Sequence, residues 1–145
     1  MLNIRLEEII REKIGGVYSI STYAWVDKYP NQSYVFEIYF NSDPDQQKKI
    51  IEAIEQEIEN LQENGFGQFY LDKVNKQMLQ KYQEEYKTND FWIWNLEFYD
   101  WIKEPYSNIY SKEQLHQQRT LKEIIDLARK TFLKRNYMIL THLPE

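Results

Sequence analysis

Apolar residues recur at helical spacing from the start of the chain, at Ile4, Leu6, Ile9, Ile10 and Ile14, with Arg5, Glu7, Glu8, Arg11, Glu12 and Lys13 between them. This predicts an amphipathic helix over 4–14. Gly15 and Gly16 end it, because glycine enters the left-handed C-cap conformation without a Cβ clash. Residues 17–26 are β-branched and aromatic with no helical stripe, and read as a strand. After a turn over 27–32, residues 33–41 alternate, placing Tyr34, Phe36, Ile38 and Phe40 on one face of a second strand. The two strands are expected to pair as an antiparallel hairpin.

The period then changes to helical. Asp43 is a candidate cap, Pro44 fits the first helical position and Gln46 completes a capping-box pattern. The helix that follows runs to about Asn64, with Ile50, Ile51, Ile54, Ile58 and Leu61 inward. A second helix over 67–87 carries an i,i+4 ladder of Tyr70, Val74, Met78, Tyr82 and Tyr86, expected to be a buried face. Residues 88–90 break or recap the chain, and Phe91 opens a helix to about Lys103, closed by Pro105; Phe91, Trp92 and Trp94 read as core or interdomain packing. Residues 106–119 are polar and irregular, with a short helix after Ser111. Thr120 and Glu123 form a second capping-box pattern. It starts a helix with Leu121, Ile124, Ile125, Ala128 and Phe132 inward and Arg129, Lys130, Lys134 and Arg135 near its end, where cations complement the helix dipole. Residues 137–143 read as a final strand.

The expected order is α-β-β-α-α-α-α-β: a single α+β domain over 1–145, with helices packed on one face of an antiparallel sheet made of the hairpin and the C-terminal strand. Three strands are few for this many helices, and an unpaired edge is a liability. The missing strands are therefore expected from the rest of a longer polypeptide or from a second copy of the chain, a homodimer through the open edge.

Composition narrows the function classes. At 42% hydrophobic and 28% charged, the 145 residues suit a packed core rather than disorder. The net charge of -5, with no lysine or arginine block, argues against a phosphate-backbone partner. Twelve tyrosines and four tryptophans suit interfaces where one end of the ring stays wet. Without cysteine there is no disulfide framework, thiolate nucleophile or Cys-ligated zinc. No apolar run approaches the roughly 20 residues of a membrane span, and 1–8 carry no signal-peptide stretch.

A catalytic zinc needs three protein ligands and an open position. His116 and His142 have no ligand companion at i+3 or i+4; they read as a surface residue and a strand-end residue. No H-x-x-E-H, H-E-x-x-H, G-x-S-x-G or P-loop pattern is present. On its own residues the chain is not a complete enzyme.

The informative stretch is Ile10, Arg11, Glu12, Ile14, Gly15 and Tyr18: an arginine in a helix's last turn, a glycine break, then a tyrosine opening a strand. It resembles the C-terminal half of the insulinase/pitrilysin family of zinc peptidases, of the bacterial multi-domain type, where an Arg-Glu segment leads through glycine to a tyrosine. The order of the remaining segments fits as well: the strand Tyr34 to Phe40, a long amphipathic helix, the run Lys87 to Trp92, the helix with Thr120, Glu123, Ile124 and Ala128, and an ending in Leu143, Pro144 and Glu145.

The resemblance implies a mitochondrial-processing-peptidase-like domain whose zinc lies in the N-terminal half of the parent enzyme, with no metal on this chain. It implies that Arg11 and Tyr18, seven residues apart, point into the active site to bind peptide substrate and stabilise the transition state. The partners are then the zinc-bearing half of the same polypeptide and the peptide substrate, and the location periplasmic or at the cell envelope. A tyrosine hydroxyl suits an oxyanion, a guanidinium suits substrate carbonyls, and the strand after Gly16 could dock an extended substrate by strand addition. Two plainer readings stand beside this one. Arg11 lies four residues after Glu7, so a helix ion pair explains it, and Tyr18 is one aromatic among many. The whole chain could instead be a protein-interaction or assembly module; a sheet that stacks single-stranded bases is disfavoured by the negative charge.

Overall fold

A computed structural model describes residues 1–10, 17–27, 30–111, 118–134 and 136–142. Strands form where β-branched and aromatic residues run without a helical stripe: β1 is Val17–Asp27 and β2 is Ser33–Ser42, paired antiparallel. The register sets Ile20 opposite Phe40, Thr22 opposite Ile38 and Ala24 opposite Phe36. Ile20 is buried and Phe36, Ile38 and Phe40 are half-buried, whereas Tyr23, Trp25 and Tyr39 on the alternate face are exposed. The architecture is α+β, and the chain divides into two compact units, 1–64 with 125–145, and 65–124.

In the first unit, helix α1 (Leu2–Ile9) packs against both β1 and α2 (Gln47–Asn64). Leu2, Leu6, Ile9 and Ile10 are buried at this end of the chain, as are Ile20 on β1 and Ile50, Ile54 and Leu61 on α2. Asn3 ties α1 to the hairpin. Its Oδ1 accepts from the Thr22 backbone N–H at 2.9 Å, while its Nδ2 donates to Glu7 Oε1 at 2.7 Å. The α2 stripe runs 50, 54, 57, 61, so it takes in Glu57, the buried charged residue, and leaves Ile51 and Ile58 half-buried at its margins. Arg5 on α1 compensates that carboxylate, donating from Nε at 3.2 Å and Nη2 at 3.4 Å.

Two expectations for this unit need correction. Asp43 flanks a 3-10 turn, Pro44–Gln46, ahead of α2, and its carbonyl accepts from the Gln46 N–H while its side chain caps nothing. The final strand expected over 137–143 does not form over 137–142, and the sheet of the described residues is the two-stranded hairpin. The segment instead runs back along α2. Gln62 Nε2 donates to the Phe132 carbonyl at 2.7 Å, Lys134 pairs with Glu59 at 2.9 Å, and the Tyr137 hydroxyl donates to Glu55 Oε1 at 2.7 Å. Gln47 closes the series by bonding to Thr141. These partners step down α2 as the tail advances, so side-chain contacts hold the tail where a backbone ladder was expected. The Glu55 hydrogen bond raises the Tyr137 phenol above its ordinary pKa.

The second unit is built on α3 (Gln68–Glu85) and α4 (Asn89–Trp101). Gly65, Phe66 and Gly67 precede α3 with φ of 62°, 61° and 86°, a left-handed run that glycine tolerates and phenylalanine does not favour. The Tyr70–Tyr86 ladder is the buried face of α3 in part: Tyr82 is buried and Tyr70, Val74 and Tyr86 are half-buried, but Met78 is exposed and Leu71, outside the i,i+4 series, is buried. Tyr70 also meets the rings of Phe66 and Phe69, at 6.1 and 5.5 Å.

Thr88 caps α4 by accepting from the Phe91 N–H at 3.2 Å. Tyr99, Ile102 and Ile109 form a core cluster with Phe91 and Trp92 packed on it. Within that unit the Tyr82 hydroxyl donates a buried 2.8 Å hydrogen bond to the Ile109 carbonyl. Tyr82→Phe takes a buried donor from that carbonyl without filling any new space, and is expected to cost ~1–3 kcal/mol, read as a lower midpoint in urea.

Helix α5 (Leu121–Thr131) begins with the expected capping box: the Thr120 N–H donates to Glu123 Oε2 at 2.8 Å and the Glu123 N–H donates to Thr120 Oγ1 at 3.2 Å. Farther along the helix, in the first unit, Ala128 is buried and Phe132 meets Phe36 edge-on at 4.9 Å. The Thr120 backbone N–H, and then its hydroxyl, hold the Glu123 carboxyl below its ordinary 4.5. A folded pKa below the unfolded one contributes stability above pH 4.5 that is lost as pH falls through the folded value. The Tm gap between the chain and a Glu123→Ala variant is therefore expected to be full at neutral pH and to narrow on acidification.

Candidate functional site

The start of β1 departs from regular pairing. Val17 lies opposite Ser42 and Ser19 opposite Asn41, so two steps on β1 match one on β2 and Tyr18 is the extra residue. A bulge of this kind turns its extra side chain away from the alternation of the strand. Tyr18 is 80% exposed, and its hydroxyl has no hydrogen-bond partner among the described residues. The strand thus presents a phenol whose donor is free to meet a carbonyl oxygen from outside the chain.

Beside the bulge, on the outer face of the hairpin, Asn41 Nδ2 donates to Ser19 Oγ at 3.4 Å and the Tyr39 hydroxyl donates to Asn41 Oδ1 at 3.0 Å. This polar row was not singled out in the sequence. The only available signal was that Ser19, Tyr39 and Asn41 share a parity in the two strands, which has no meaning until the register is known. The bulge was equally hidden, since no glycine marks it.

Arg11, Gly15 and Gly16 lie outside the described residues, as does His116; His142 is exposed. Among the described residues, no group of three or more His, Cys, Asp or Glu side chains could hold a metal ion. The Thr22 N–H of β1 is taken by Asn3, so an extended peptide adding to β1 would find that ladder position occupied. Phe91 and Trp92 pack as expected, while Trp94 is exposed.

The family model of the peptidase M16 inactive domain matches residues 2–78, more than half of the chain. The chain belongs to this family. The matched stretch of this M16 chain includes α1, the whole hairpin with its bulge, α2 and part of α3. The resemblance to the insulinase-type zinc peptidases is thereby borne out at the level of the family. The fold is also similar to that in the crystal structure of the periplasmic protease PqqL from Escherichia coli, with a TM-score of 0.72 at 16% identity over 89% of this chain. The M16 chain spans 14% of the length of PqqL. No curated protein matches its sequence. No described helix is long and apolar enough to cross a membrane.

Proposed function

We propose that this M16 chain is the zinc-free C-terminal portion of a zinc metalloendopeptidase, in which Tyr18 and Arg11 assist peptide binding and transition-state stabilisation. The observation that carries the reading is Tyr18, set on a β-bulge with its hydroxyl exposed and unengaged among the described residues. Membership of a family described as an inactive domain supports a supporting role in catalysis. Zinc, bound by the other half of the parent enzyme, would polarise the scissile carbonyl. The Tyr18 hydroxyl would donate to the oxygen on which charge develops, an interaction stronger in the transition state than in the substrate. Arg11 would hold the substrate backbone with its guanidinium fork. By analogy with PqqL, the location proposed is the periplasm or cell envelope.

The test is reconstitution. The isolated chain is expected to bind no stoichiometric zinc and to cleave no peptide, and the same chain joined to a zinc-bearing M16 half should hydrolyse peptides in a reaction that chelators abolish. Peptide cleavage by the isolated chain would overturn the proposal, as would chelator-insensitive activity of the joined protein. A second reading, an assembly module without peptidase activity, is favoured by the aromatic outer face of the hairpin, where Tyr23, Trp25 and Tyr39 are exposed. Reconstituted activity would exclude it.

A further inference from the structure

Helix α4 carries two aromatic faces. One, with Phe91, Trp92 and Tyr99, forms or packs against the core of the second unit. The other is a row at i, i+4 and i+7: Trp94, Phe98 and Trp101, which are 72%, 50% and 64% exposed. Beside the row, at i-4 and i+3 from Trp94, stand Asp90 and Glu97, both exposed and with no ion pair or hydrogen bond from their side chains among the described residues. Asp100, farther round the helix, is occupied by Lys103 at 3.4 Å. Asp90 also lies in the first turn, where the helix dipole favours it, but Glu97 has no such local reason to be there.

Aromatic anchors at this spacing are how a helix seats itself in an apolar groove of a partner, and tryptophan is the side chain most often found at the energetic centre of such contacts. We propose that the Trp94, Phe98 and Trp101 row docks in an apolar groove rimmed by lysine or arginine on the remainder of the same peptidase polypeptide. This rests on the reading of the chain as part of a larger peptidase. Charge selects the occupant: a second copy brings the same Asp90 and Glu97 and a net charge of -5, and an anionic bilayer repels both carboxylates. Length supplies the source, since this stretch corresponds to 14% of a structurally similar peptidase chain.

Hydroxyl-radical labelling of the three rings, in the 145-residue chain alone and in the complete polypeptide, tests the docking. The rings should label readily in the isolated chain and about tenfold less in the complete polypeptide, as befits side chains moved from solvent into a water-excluding contact. Asp90→Asn with Glu97→Gln should return part of the labelling, because the rim loses its charge partners while the rings remain. Equal labelling in the two proteins would overturn the docking. So would protection in the isolated chain that grows with its concentration, which would name a second copy as the occupant, or protection that appears only when another protein is added. The readout involves no catalysis. An active, Tyr18-dependent enzyme with an accessible row would sink the docking alone, and a protected row in an enzyme indifferent to Tyr18 would sink the catalytic assignment alone.

Discussion

Tyr18→Phe in the complete peptidase is expected to lower kcat/KM by about 100-fold, the usual loss when one donor to a developing oxyanion is removed. The substitution deletes a single oxygen. That oxygen makes no hydrogen bond within the described chain and sits on a ring that is mostly in solvent, so folding should not register its loss. The Tm is therefore expected to stay unchanged while kcat falls and KM moves little, the pattern of an interaction made in the transition state alone. Arg11→Ala should differ by raising KM, because a guanidinium on substrate carbonyls binds ground state and transition state alike. If Tyr18→Phe leaves kcat/KM within about twofold, the phenol is a bystander and the bulge has another purpose.

Leu6→Ala is expected to destabilise the chain by about 3–4 kcal/mol, a large fraction of the total stability of a domain this size. Leu6 is 0% exposed, on a helix of eight residues. A helix that short does not hold itself together in water and exists because its apolar stripe is covered. α1 is covered by α2 and β1 together, so the cavity left at Leu6 opens where three elements meet and none can move in without leaving another. Urea denaturation of the variant should show a lower midpoint with an unchanged slope; a loss under about 1 kcal/mol would mean that the site collapses to fill the void. Arg5, one residue earlier on α1, would lose its hold on buried Glu57 if the helix frayed, so the structural cost extends beyond the apolar contact.

Elements set by local chemistry were legible in the sequence. The hairpin, the Thr120–Glu123 box and the stop after Asn64 all came from residues a few positions apart, and each stands as read. The misses lay where partners are distant in sequence. Glu57 was invisible as a buried residue because its compensation comes from Arg5, on a different helix. The Tyr70–Tyr86 ladder has perfect i,i+4 spacing, yet spacing alone does not set how deep each rung lies: Tyr82 is buried, Met78 is exposed, and Leu71, outside the series, is buried as well. The stretch 137–142 has the composition of a strand, but composition cannot supply a neighbouring strand, and the polar side chains of α2 hold it first. At the candidate site, Tyr18 was proposed through resemblance, whereas the bulge on which it sits depends on register.

The tail along α2 bears on how the chain behaves when handled by itself. Tyr137, Met138, Ile139 and Leu140 are a β-prone apolar run left in solvent, in a chain whose hairpin is only two strands wide. Such a run, once loose, is a template for cross-β stacking between copies. Glu55 and Glu59 act as gatekeepers by tethering Tyr137 and Lys134, so weakening those tethers with salt should shorten the shelf life of a concentrated preparation well before the core unfolds.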